Sequence, residues 1–306
     1  MSTIETAIES KHVFFPPSTA DAIQNQKLEC KTSIVVVGAN GAGKSRLGAW
    51  LELHGPQKEK VHRITAQKSL AFPTSCSPIP VQSARDAFHY APKPAGWRAE
   101  DYESSKATLR LQTRYGGEDV VAAAAVNDFG NLLTLLFSEN YNVLLEHESK
   151  ENESKILVPI PDTPIRRVQR LWESVLPNRQ LKVLAGEIRA VSAGEANDYS
   201  ARALSDGERV IFYLTGQCLC APEGAIIVVD EPEIHLHKAI QSTLWNAIEN
   251  ARPDCTFVYL THDLDFASGR TGAPKVCLKE FSNEKYDWYL VPHQEDIPED
   301  VYLEVL

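Results

Sequence analysis

A long hydrophobic run is missing from this chain. None of its apolar stretches approaches the roughly 20 residues that a helix needs to span a membrane. The N-terminal sequence MSTIETAIES is too polar for the apolar core of a signal peptide. Together these absences predict a cytoplasmic protein with no membrane partner.

Basic charge is also scarce. The 306 residues carry 31 lysines and arginines against 41 aspartates and glutamates, which gives a net charge of −10. Because phosphate contacts depend on lysine and arginine, this balance argues against a broad nucleic-acid-binding surface. A local basic groove remains compatible with the composition, so direct nucleic-acid binding stays open.

Metal-ligand spacing is absent among the six cysteines, which are Cys30, Cys76, Cys218, Cys220, Cys255 and Cys277. Cys218 and Cys220 lie in an apolar helical context, and Cys255 opens a predicted strand. The pattern favours buried, reduced thiols over a zinc site or a disulfide framework.

A glycine-rich loop is the clearest positive feature of the chain. The sequence GANGAGKS, residues 38–45, follows the β-prone run SIVVV and precedes a predicted helix from Arg46 to Leu53. Its spacing, G-x-x-x-x-G-K-S, is that of a phosphate-binding P-loop. The alternative is a glycine-rich turn that binds nothing. The residues expected to bind nucleotide are Gly38, Ala39, Asn40, Gly41, Ala42, Gly43, Lys44, Ser45 and Arg46.

Each part of this loop has a chemical purpose in phosphate binding. Glycines allow backbone N–H groups to turn toward phosphate oxygens, and the helix N-terminus adds a positive dipole end. Lys44 is expected to reach the β- and γ-phosphates, and the Ser45 hydroxyl is expected to ligate Mg²⁺. Upstream, Phe14 or Phe15 could stack on the base, although a core role is the alternative for both.

A second set of candidate residues follows a buried strand in the other half of the chain. The apolar run Ala225–Val229 ends in Asp230 and Glu231, as a central strand of a parallel sheet would. Ligands of such sheets bind at the carboxyl ends of the strands. Asp230 can therefore hold Mg²⁺ with Ser45, and Glu231 can act as general base on water. An exposed Asp-Glu-Pro turn is the alternative.

Two further segments suggest contacts to phosphate. In LSDGER, residues 204–209, Ser205 is a plausible N-cap and Gly207 would let a phosphate approach the helix backbone. Taken alone, this segment is also a simple capped helix. His262 follows the predicted strand Cys255–Leu260, where it could donate a hydrogen bond to a γ-phosphate or serve as a core histidine.

The remaining pattern predicts a core lobe over about 1–117 and 196–306 and a helical lid insertion over about 118–195. The lid carries an amphipathic helix from Phe129, a second helix begun by Thr163 and Pro164, and a hairpin of Gln180–Leu184 with Glu187–Val191. Residues 72–101 are expected to be irregular because of their prolines, Thr108–Tyr115 to form a strand, and Ser138–Lys155 to be an exposed connection.

These motifs, in this order, resemble those of ABC-type ATPases. The sequence DEPEIHLH at residues 230–237 is similar to the non-transporter branch, which includes OLD-type ATPases and coiled-coil DNA-repair ATPases. The resemblance implies an α/β P-loop NTPase fold with a mostly parallel central sheet and a helical lid. It makes LSDGER the signature segment and His262 the switch histidine.

The resemblance also implies how the residues would cooperate. ABC-type domains dimerise head to tail, so Ser205 and Gly207 would contact ATP bound to the Lys44 of a second copy. ATP and Mg²⁺ are the implied ligands. A glutamine normally links the nucleotide to the lid; Gln67 is the candidate for this metal-site role, with Asn127 or Asp128 as alternatives. His235 and His237 would then lie at the dimer interface rather than in a zinc site.

A narrower resemblance concerns partners. Residues 63–70, RITAQKSL, and residues 204–212 look like the ATPase component of PARIS-type bacterial anti-phage systems. That family implies a TOPRIM-type nuclease partner, separate or fused after residue 306, and a phage protein as trigger. The final residues, 299–306, are expected either to form the junction to such a domain or to dock as a C-terminal helix.

Three hypotheses about function follow. The chain is an Mg²⁺-dependent ATPase that controls an effector, a nucleotide-gated scaffold with little turnover, or a DNA-repair ATPase of the RecF or coiled-coil type. The lack of a long heptad run and the charge of −10 argue against the last of these.

Overall fold

The computed structural model describes residues 10–20, 26–115, 128–154, 159–195 and 197–292. The strands in these ranges are β1 Lys11–Phe14, β2 Lys27–Cys30, β3 Ser33–Val37, β4 Val61–Ile64, β5 Arg179–Val183, β6 Ile188–Ser192, β7 Tyr199–Ser200, β8 Ile226–Asp230, β9 Thr256–Thr261, β10 Lys275–Ser282 and β11 Lys285–Leu290. The helices are α1 Lys44–Leu53, α2 Val81–His89, α3 Ala99–Tyr115, α4 Phe129–Ser154, α5 Pro164–Val175, α6 Asp206–Cys220, α7 Lys238–Ala251 and α8 Leu264–Gly269.

The described residues divide into two compact units. The first comprises those within 1–66, 221–234 and 249–306, and the second comprises those within 67–220 and 235–248. Helix α7 contributes residues to both. The sequence predicts a core lobe and a lid whose boundaries differ from those of these two units. That division stays a prediction. No helix in the described part of the chain combines the length and apolarity of a membrane span.

A six-stranded sheet forms the centre of the first unit. Its order is β11-β10-β3-β9-β8-β4, and every neighbouring pair is parallel except β10 with β11. Strands β3, β8 and β9 are buried along their whole length, as their continuous apolar sequences lead one to expect. The expectation of an α/β P-loop NTPase fold with a mostly parallel sheet is confirmed.

The hydrophobic core of the first unit lies on the side of the sheet that β1 and β2 help to cover. Phe15, which follows β1, is fully buried, and its ring centroid lies 5.5 Å from that of Trp288. Of the two aromatics considered for base stacking, Phe15 therefore belongs to the core. Phe14 is half-buried and contacts the ring of His12 edge-on.

The second unit contains helices α2 to α6 and a small antiparallel sheet. Helix α4 packs against α2, α5 and α6, and α5 packs against α6. The sheet has the order β5-β6-β7, so the predicted hairpin is confirmed. Helix α5 begins at Pro164 with Thr163 at the N-cap position, as expected. The Thr163 hydroxyl donates to Oδ1 of Asn140 at 2.9 Å rather than capping the helix.

Three local expectations from the sequence are wrong. Thr108–Tyr115 is the second half of helix α3, whose Glu103 and Lys106 form an ion pair one turn apart. A short alternation of apolar residues predicts a strand there, but these residues instead continue the helix that begins at Ala99.

Residues 138–154 continue helix α4 instead of forming a connection. They are polar because they lie on an exposed helix, where pairs such as Asn142 with Glu146, joined at 2.7 Å, support the helical backbone.

Within the proline-rich excursion, Pro80 starts helix α2 at its N-cap, because proline interrupts helices in the middle but not at their first turn.

All six cysteines lie in the described ranges, and none of them forms a disulfide. Four are buried, and Cys76 and Cys220 are half-buried. Burial raises the pKa of the Cys30 thiol to about 11, which keeps it protonated at neutral pH.

Candidate functional site

The carboxyl ends of three adjacent parallel strands define the candidate site in the first unit. In the register, Val37 at the end of β3 pairs with Thr261 at the end of β9. Asp230 at the end of β8 pairs with Leu260. The loop after β3 and the residues after β8 and β9 therefore leave the sheet at the same edge, where open α/β sheets bind their ligands.

The loop between β3 and α1 requires glycine at specific positions. Gly41 and Gly43 have φ values of 89° and 101°, in the left-handed region that other residues rarely adopt. A Cβ atom on Gly43 would lie only 2.5 Å from the Cβ of Phe281, and one on Gly38 would lie 2.6 Å from the Leu278 carbonyl oxygen. The path of the loop is thus fixed by its contact with β10.

Lys44 is the first residue of helix α1, and its side chain turns back over the loop. Its Nζ donates to the carbonyl oxygens of Gly38 at 2.7 Å and Ala39 at 2.9 Å. Burial lowers the pKa of Lys44, while the carboxylates of Glu231, Glu233 and Asp230 act in the opposite direction. The lysine charge and three carboxylates therefore occupy one small region.

The other loop residues differ in exposure. Ala42 is buried and its N–H donates to the Ala39 carbonyl at 3.1 Å, while Asn40 is exposed. Ser45 is half-buried in the first turn of α1. Arg46 is exposed, and its guanidinium lies 5.2 Å from the ring centroid of Phe281. Their roles in binding nucleotide stay predictions.

Asp230 is held by a buried arginine. Arg63 on β4 donates from Nη2 to Oδ2 of Asp230, and neither side chain is exposed to solvent beyond 3%. Helix α1 passes close to this pair at Gly48, where a Cβ would lie 2.9 Å from both Nε of Arg63 and Oδ1 of Asp230. The absence of a side chain at Gly48 lets the carboxylate sit directly beside the helix that begins at the loop.

Glu231 adopts an unusual backbone conformation. Its φ is 49°, a left-handed value that is uncommon for a residue with a side chain. Its N–H donates to the Leu260 carbonyl at 2.8 Å, which anchors the turn to the neighbouring strand. The side chain keeps 25% of its surface exposed. Left-handed residues held by their surroundings are concentrated at functional sites.

Glu233 and His262 complete the cluster. The Nδ1 atom of His262 lies 3.4 Å from Oε1 of Glu233 and 3.7 Å from Oε1 of Glu231. Glu233 also accepts a hydrogen bond from the Thr261 hydroxyl at 2.7 Å. Burial raises the pKa of Glu233, although the Thr261 hydrogen bond acts against this.

The signature-like segment lies in the second unit and forms a capping box. The Ser205 N–H donates to Oε2 of Glu208 at 2.8 Å, and the Glu208 N–H donates to the Ser205 hydroxyl oxygen at 3.3 Å. Arg179 donates to the other oxygen of Glu208 at 2.8 Å. Ser205 is exposed and Gly207 is half-buried. A Cβ atom on Gly207 would lie 3.3 Å from the His235 carbonyl oxygen, a tight contact.

Two of the residues considered for linking nucleotide to the lid, Gln67 and Asp128, belong to the second unit. Gln67 is exposed and belongs to the second unit, so its metal-site role stays a prediction. Asp128 is buried in the second unit and accepts hydrogen bonds from Tyr213 at 2.7 Å and Gln217 at 3.0 Å. Asn127 lies outside the described residues.

The structure brings Lys44, Asp230, Glu231 and His262 to one edge of the sheet, as the motif order led us to expect. Sequence reasoning missed two buried residues that hold this arrangement. One is Arg63, which the strand sequence VHRI could have flagged as a charge inside an apolar strand. The other is Glu233, whose burial is not visible in the sequence because it depends on the turn after β8.

Chemically, the cluster offers a cation for phosphate oxygens, a carboxylate suited to a divalent metal, and a second carboxylate that can accept a proton. These are the parts that phosphoryl transfer to water requires. The oxygen donors of Ser45 and Asp230 are the type that Mg²⁺ prefers.

Comparison with protein families gives a match over residues 98–267, more than half of the chain. The family is described as "AAA domain, putative AbiEii toxin, Type IV TA system". The matched residues include the signature-like segment, Asp230, Glu231 and His262, and they begin after the glycine-rich loop. No curated protein matches the chain at a significant level.

Among solved structures, the chain is similar to several SMC head domains. The head from Thermotoga maritima is 13% identical, with 93% of this chain and 99% of that chain covered and a TM-score of 0.42. A head with coiled coil and joint from Pyrococcus yayanosii is 13% identical, with coverage of 73% and 53% and a TM-score of 0.38. An SMC head bound to the C-winged helix domain of ScpA is 14% identical, with about half of each chain covered (53%) and a TM-score of 0.36.

Proposed function

This chain belongs to the AAA-domain family of the AbiEii description, and we propose from that premise that it is an Mg²⁺-dependent ATPase. ATP would bind at residues 38–46 and be hydrolysed to ADP and phosphate. The observation that carries the proposal is the meeting of Lys44, Asp230, Glu231 and His262 at the carboxyl edge of one parallel sheet.

The loop fits the phosphates of a nucleotide. Gly41 and Gly43 hold it in a conformation that requires glycine, and helix α1 directs its N-terminus toward the loop. The Nζ of Lys44 already bonds to two loop carbonyl oxygens and retains a third donor for a phosphate oxygen.

The same edge fits Mg²⁺. The Ser45 hydroxyl and the Asp230 carboxylate would hold the ion, and Gly48 lets helix α1, which carries Ser45, pass directly beside Asp230. When bound, Mg²⁺ would neutralise charge on the phosphate oxygens.

The protein side chains would then divide the work of hydrolysis. Glu231, whose side chain is partly exposed, would accept a proton from the attacking water. His262 would donate a hydrogen bond to the γ-phosphate, and Lys44 would balance the charge that develops on its oxygens. Arg63 would balance the charge of the Asp230 carboxylate.

Self-association belongs to this proposal. Ser205 and Gly207 sit at the N-terminus of the 15-residue helix α6, where backbone dipoles favour an anion. Arg202 is exposed three residues before Ser205, and the first-turn carboxylates Glu208 and Asp206 are paired with Arg179 and Arg209. We infer that this segment contacts ATP held by the Lys44 of a second copy, so that ATP stabilises a head-to-tail dimer or higher assembly.

The assembly would act on a partner effector. The resemblance of residues 63–70 and 204–212 to the ATPase of PARIS-type systems supports a TOPRIM-type nuclease as that effector and anti-phage defence as the setting. A phage protein would be the trigger. These are inferences from sequence resemblance and rest on the ATPase function.

Steady-state phosphate release tests the enzyme. The purified protein should release phosphate from ATP only with Mg²⁺, and Glu231→Gln should lower kcat at least about 100-fold, since a general base contributes about 10²–10⁴. Glu223→Gln is the matched control, because Glu223 is an exposed glutamate in the turn before the same strand. Its turnover should equal that of the wild type.

Size-exclusion chromatography with and without ATP completes the test. ATP-dependent assembly with phosphate release no higher than that of Glu231→Gln would mean a scaffold rather than an enzyme. Turnover that rises with duplex DNA and falls steeply with salt would favour the DNA-repair alternative.

A further inference from the structure

Glu233 is a buried carboxylate at the candidate site for which the proposed hydrolysis has no use. Only 8% of its side chain is exposed. A buried carboxylate is costly to keep ionised, and an amide of the same shape would fold at lower cost. The presence of a carboxylate at this position therefore calls for a reason in the charge or hydrogen bonding of its neighbours.

A short hydrogen-bonded chain fixes the position of this carboxylate. The Asp263 N–H donates to the Thr261 hydroxyl oxygen at 2.9 Å, and the Thr261 hydroxyl donates to Oε1 of Glu233 at 2.7 Å. Thr261 is the last residue of β9 and is fully buried. The carboxylate is thus tied to the strand end from which His262 projects.

The same oxygen of Glu233 faces the imidazole. It lies 3.4 Å from Nδ1 of His262, nearer than Oε1 of Glu231 at 3.7 Å. A shift of about 0.3 Å would bring it into the usual range of N–H···O hydrogen bonds, about 2.7–3.2 Å. Two carboxylates therefore compete for one ring nitrogen, and Glu233 is both the closer and the more firmly held.

We propose that Glu233 is a positioning residue for His262, accepting the Nδ1–H of the imidazolium so that its Nε2–H can donate to the γ-phosphate and Glu231 is left for water. If His262 bonded instead to Glu231, the ring would occupy the base that must accept the proton of the attacking water. The inference rests on the proposed ATPase function for its effect on turnover, but not for its effect on the ring.

The charged groups around His262 define what a change at Glu233 would do. Oε1 of Glu231 and Oε1 of Glu233, both after β8, lie 3.7 Å and 3.4 Å from Nδ1, and Asp263 follows His262 in the chain. Removing the charge of Glu233 while keeping its shape leaves Glu231 as the carboxylate nearest to Nδ1. The imidazolium would then take Glu231 as its hydrogen-bond acceptor, which would occupy the proposed base.

Glu233→Gln is the central variant, because glutamine keeps the shape and can still accept the Thr261 hydrogen bond. We expect kcat to fall at least about 10-fold with KM for ATP changed less than about 2-fold. Glu249→Gln is the matched control. Glu249 is also a poorly exposed carboxylate that accepts a hydrogen bond from β9, from Tyr259 at 2.8 Å, but away from the site.

A double-mutant cycle separates positioning from general damage. If Glu233 acts through His262, then Glu233→Gln should cost nothing further in a His262→Ala background. Losses that multiply in the double variant, or a kcat of Glu233→Gln equal to that of Glu249→Gln, would overturn the proposal.

A measurement without nucleotide distinguishes this proposal from the ATPase function. The ¹⁵N shifts of the His262 ring, assigned by comparison with His262→Asn, report which nitrogen carries the proton. They should show a hydrogen-bonded Nδ1–H in the wild type and a weaker hydrogen bond at Nδ1 in Glu233→Gln. A shift of this kind in a protein that releases no phosphate would support the positioning role and reject the enzyme. Unchanged ring signals in an active enzyme would reject the positioning role alone.

Discussion

Arg63 and Asp230 form an ion pair of 2.5 Å between neighbouring strands, sealed from solvent on both sides. The Asp230 carboxylate that is expected to ligate Mg²⁺ therefore also binds the guanidinium of Arg63. Burying two charges costs several kcal/mol, which only a well-formed pair offsets. The pair ties the geometry of the candidate metal site to the position of β4.

Removal of Arg63 should destabilise the protein strongly. Arg63→Met leaves the Asp230 charge buried without its partner, and we expect a loss of about 3–5 kcal/mol in the free energy of unfolding. Urea denaturation measures it. Adding Asp230→Asn should restore part of the loss.

Arg85→Met is the control for this prediction. Arg85 pairs with Glu139 at 2.8 Å, but half of its side chain is exposed (52%). Exposed pairs contribute about 0–1 kcal/mol. Equal losses for Arg63→Met and Arg85→Met would show that the buried pair has no special role.

Two glycines of the loop should respond differently to alanine. Both have positive φ, so each alanine carries a strain of about 1 kcal/mol. Only at Gly43 does the new Cβ also collide with Phe281, whereas at Gly41 it meets no atom within 4 Å. Isothermal titration with ATP should show at least about 10-fold weaker binding for Gly43→Ala than for Gly41→Ala. Similar affinities would show that the contact with Phe281 does not shape the loop.

The capping box should give a pH-dependent contribution to stability. Burial alone would raise the pKa of Glu208, but hydrogen bonds from Arg179 and Ser205 outweigh it and hold the pKa below the usual value. The ionised glutamate therefore stabilises the fold above its unfolded pKa, and this contribution is lost as the pH falls through the folded pKa.

Glu208→Gln should accordingly lower the free energy of unfolding by about 1 kcal/mol at pH 7 and by less near pH 4. Thermal unfolding at both pH values measures the difference. The exposed Glu195 provides a control, since Glu195→Gln should have no effect at either pH. A difference that stays constant with pH would contradict the assigned charge state of Glu208.

Ser205→Arg should separate binding from assembly. The substitution introduces a long side chain at an exposed residue of the second unit, so ATP affinity of the single chain should change less than about 2-fold. ATP-dependent assembly should disappear in light-scattering measurements if Ser205 faces the nucleotide of a second copy. Ser104→Arg, on an exposed part of α3, should assemble normally. Parallel loss of affinity and assembly would contradict the head-to-tail arrangement.

The parallel sheet and the edge that carries the candidate site could be predicted from the sequence, because each strand and the loop are recognisable from a few consecutive residues. Continuous apolar runs predict β3, β8 and β9, and the glycine content and spacing of GANGAGKS predict the loop. The order of strands follows from register between distant segments, which no local pattern encodes. The positions of Asp230 and His262 could therefore be predicted at one edge, but not their partners.

The errors have a common physical origin. In Thr108–Tyr115 and in residues 138–154, the helices α3 and α4 have long exposed faces, so their apolar periodicity is weak and polar residues dominate. Exposed helices of this kind owe their stability to helical propensity and side-chain pairs, which leave a fainter signature than burial does. Arg63 and Glu233 were missed for the opposite reason, since buried polar residues contradict the apolar pattern from which burial is inferred.

The order of strands in the first unit has a consequence for synthesis of the chain. Strand β3, which leads into the loop, is flanked by β9 and β10, so both of its neighbours come from residues 256–282. A growing polypeptide that has reached only β8 can pair β4 with β8 but has no neighbouring strand for β3. The ribosome must translate past Thr261 before β3 gains a neighbour, and nucleotide capture would be among the last properties that the nascent protein acquires.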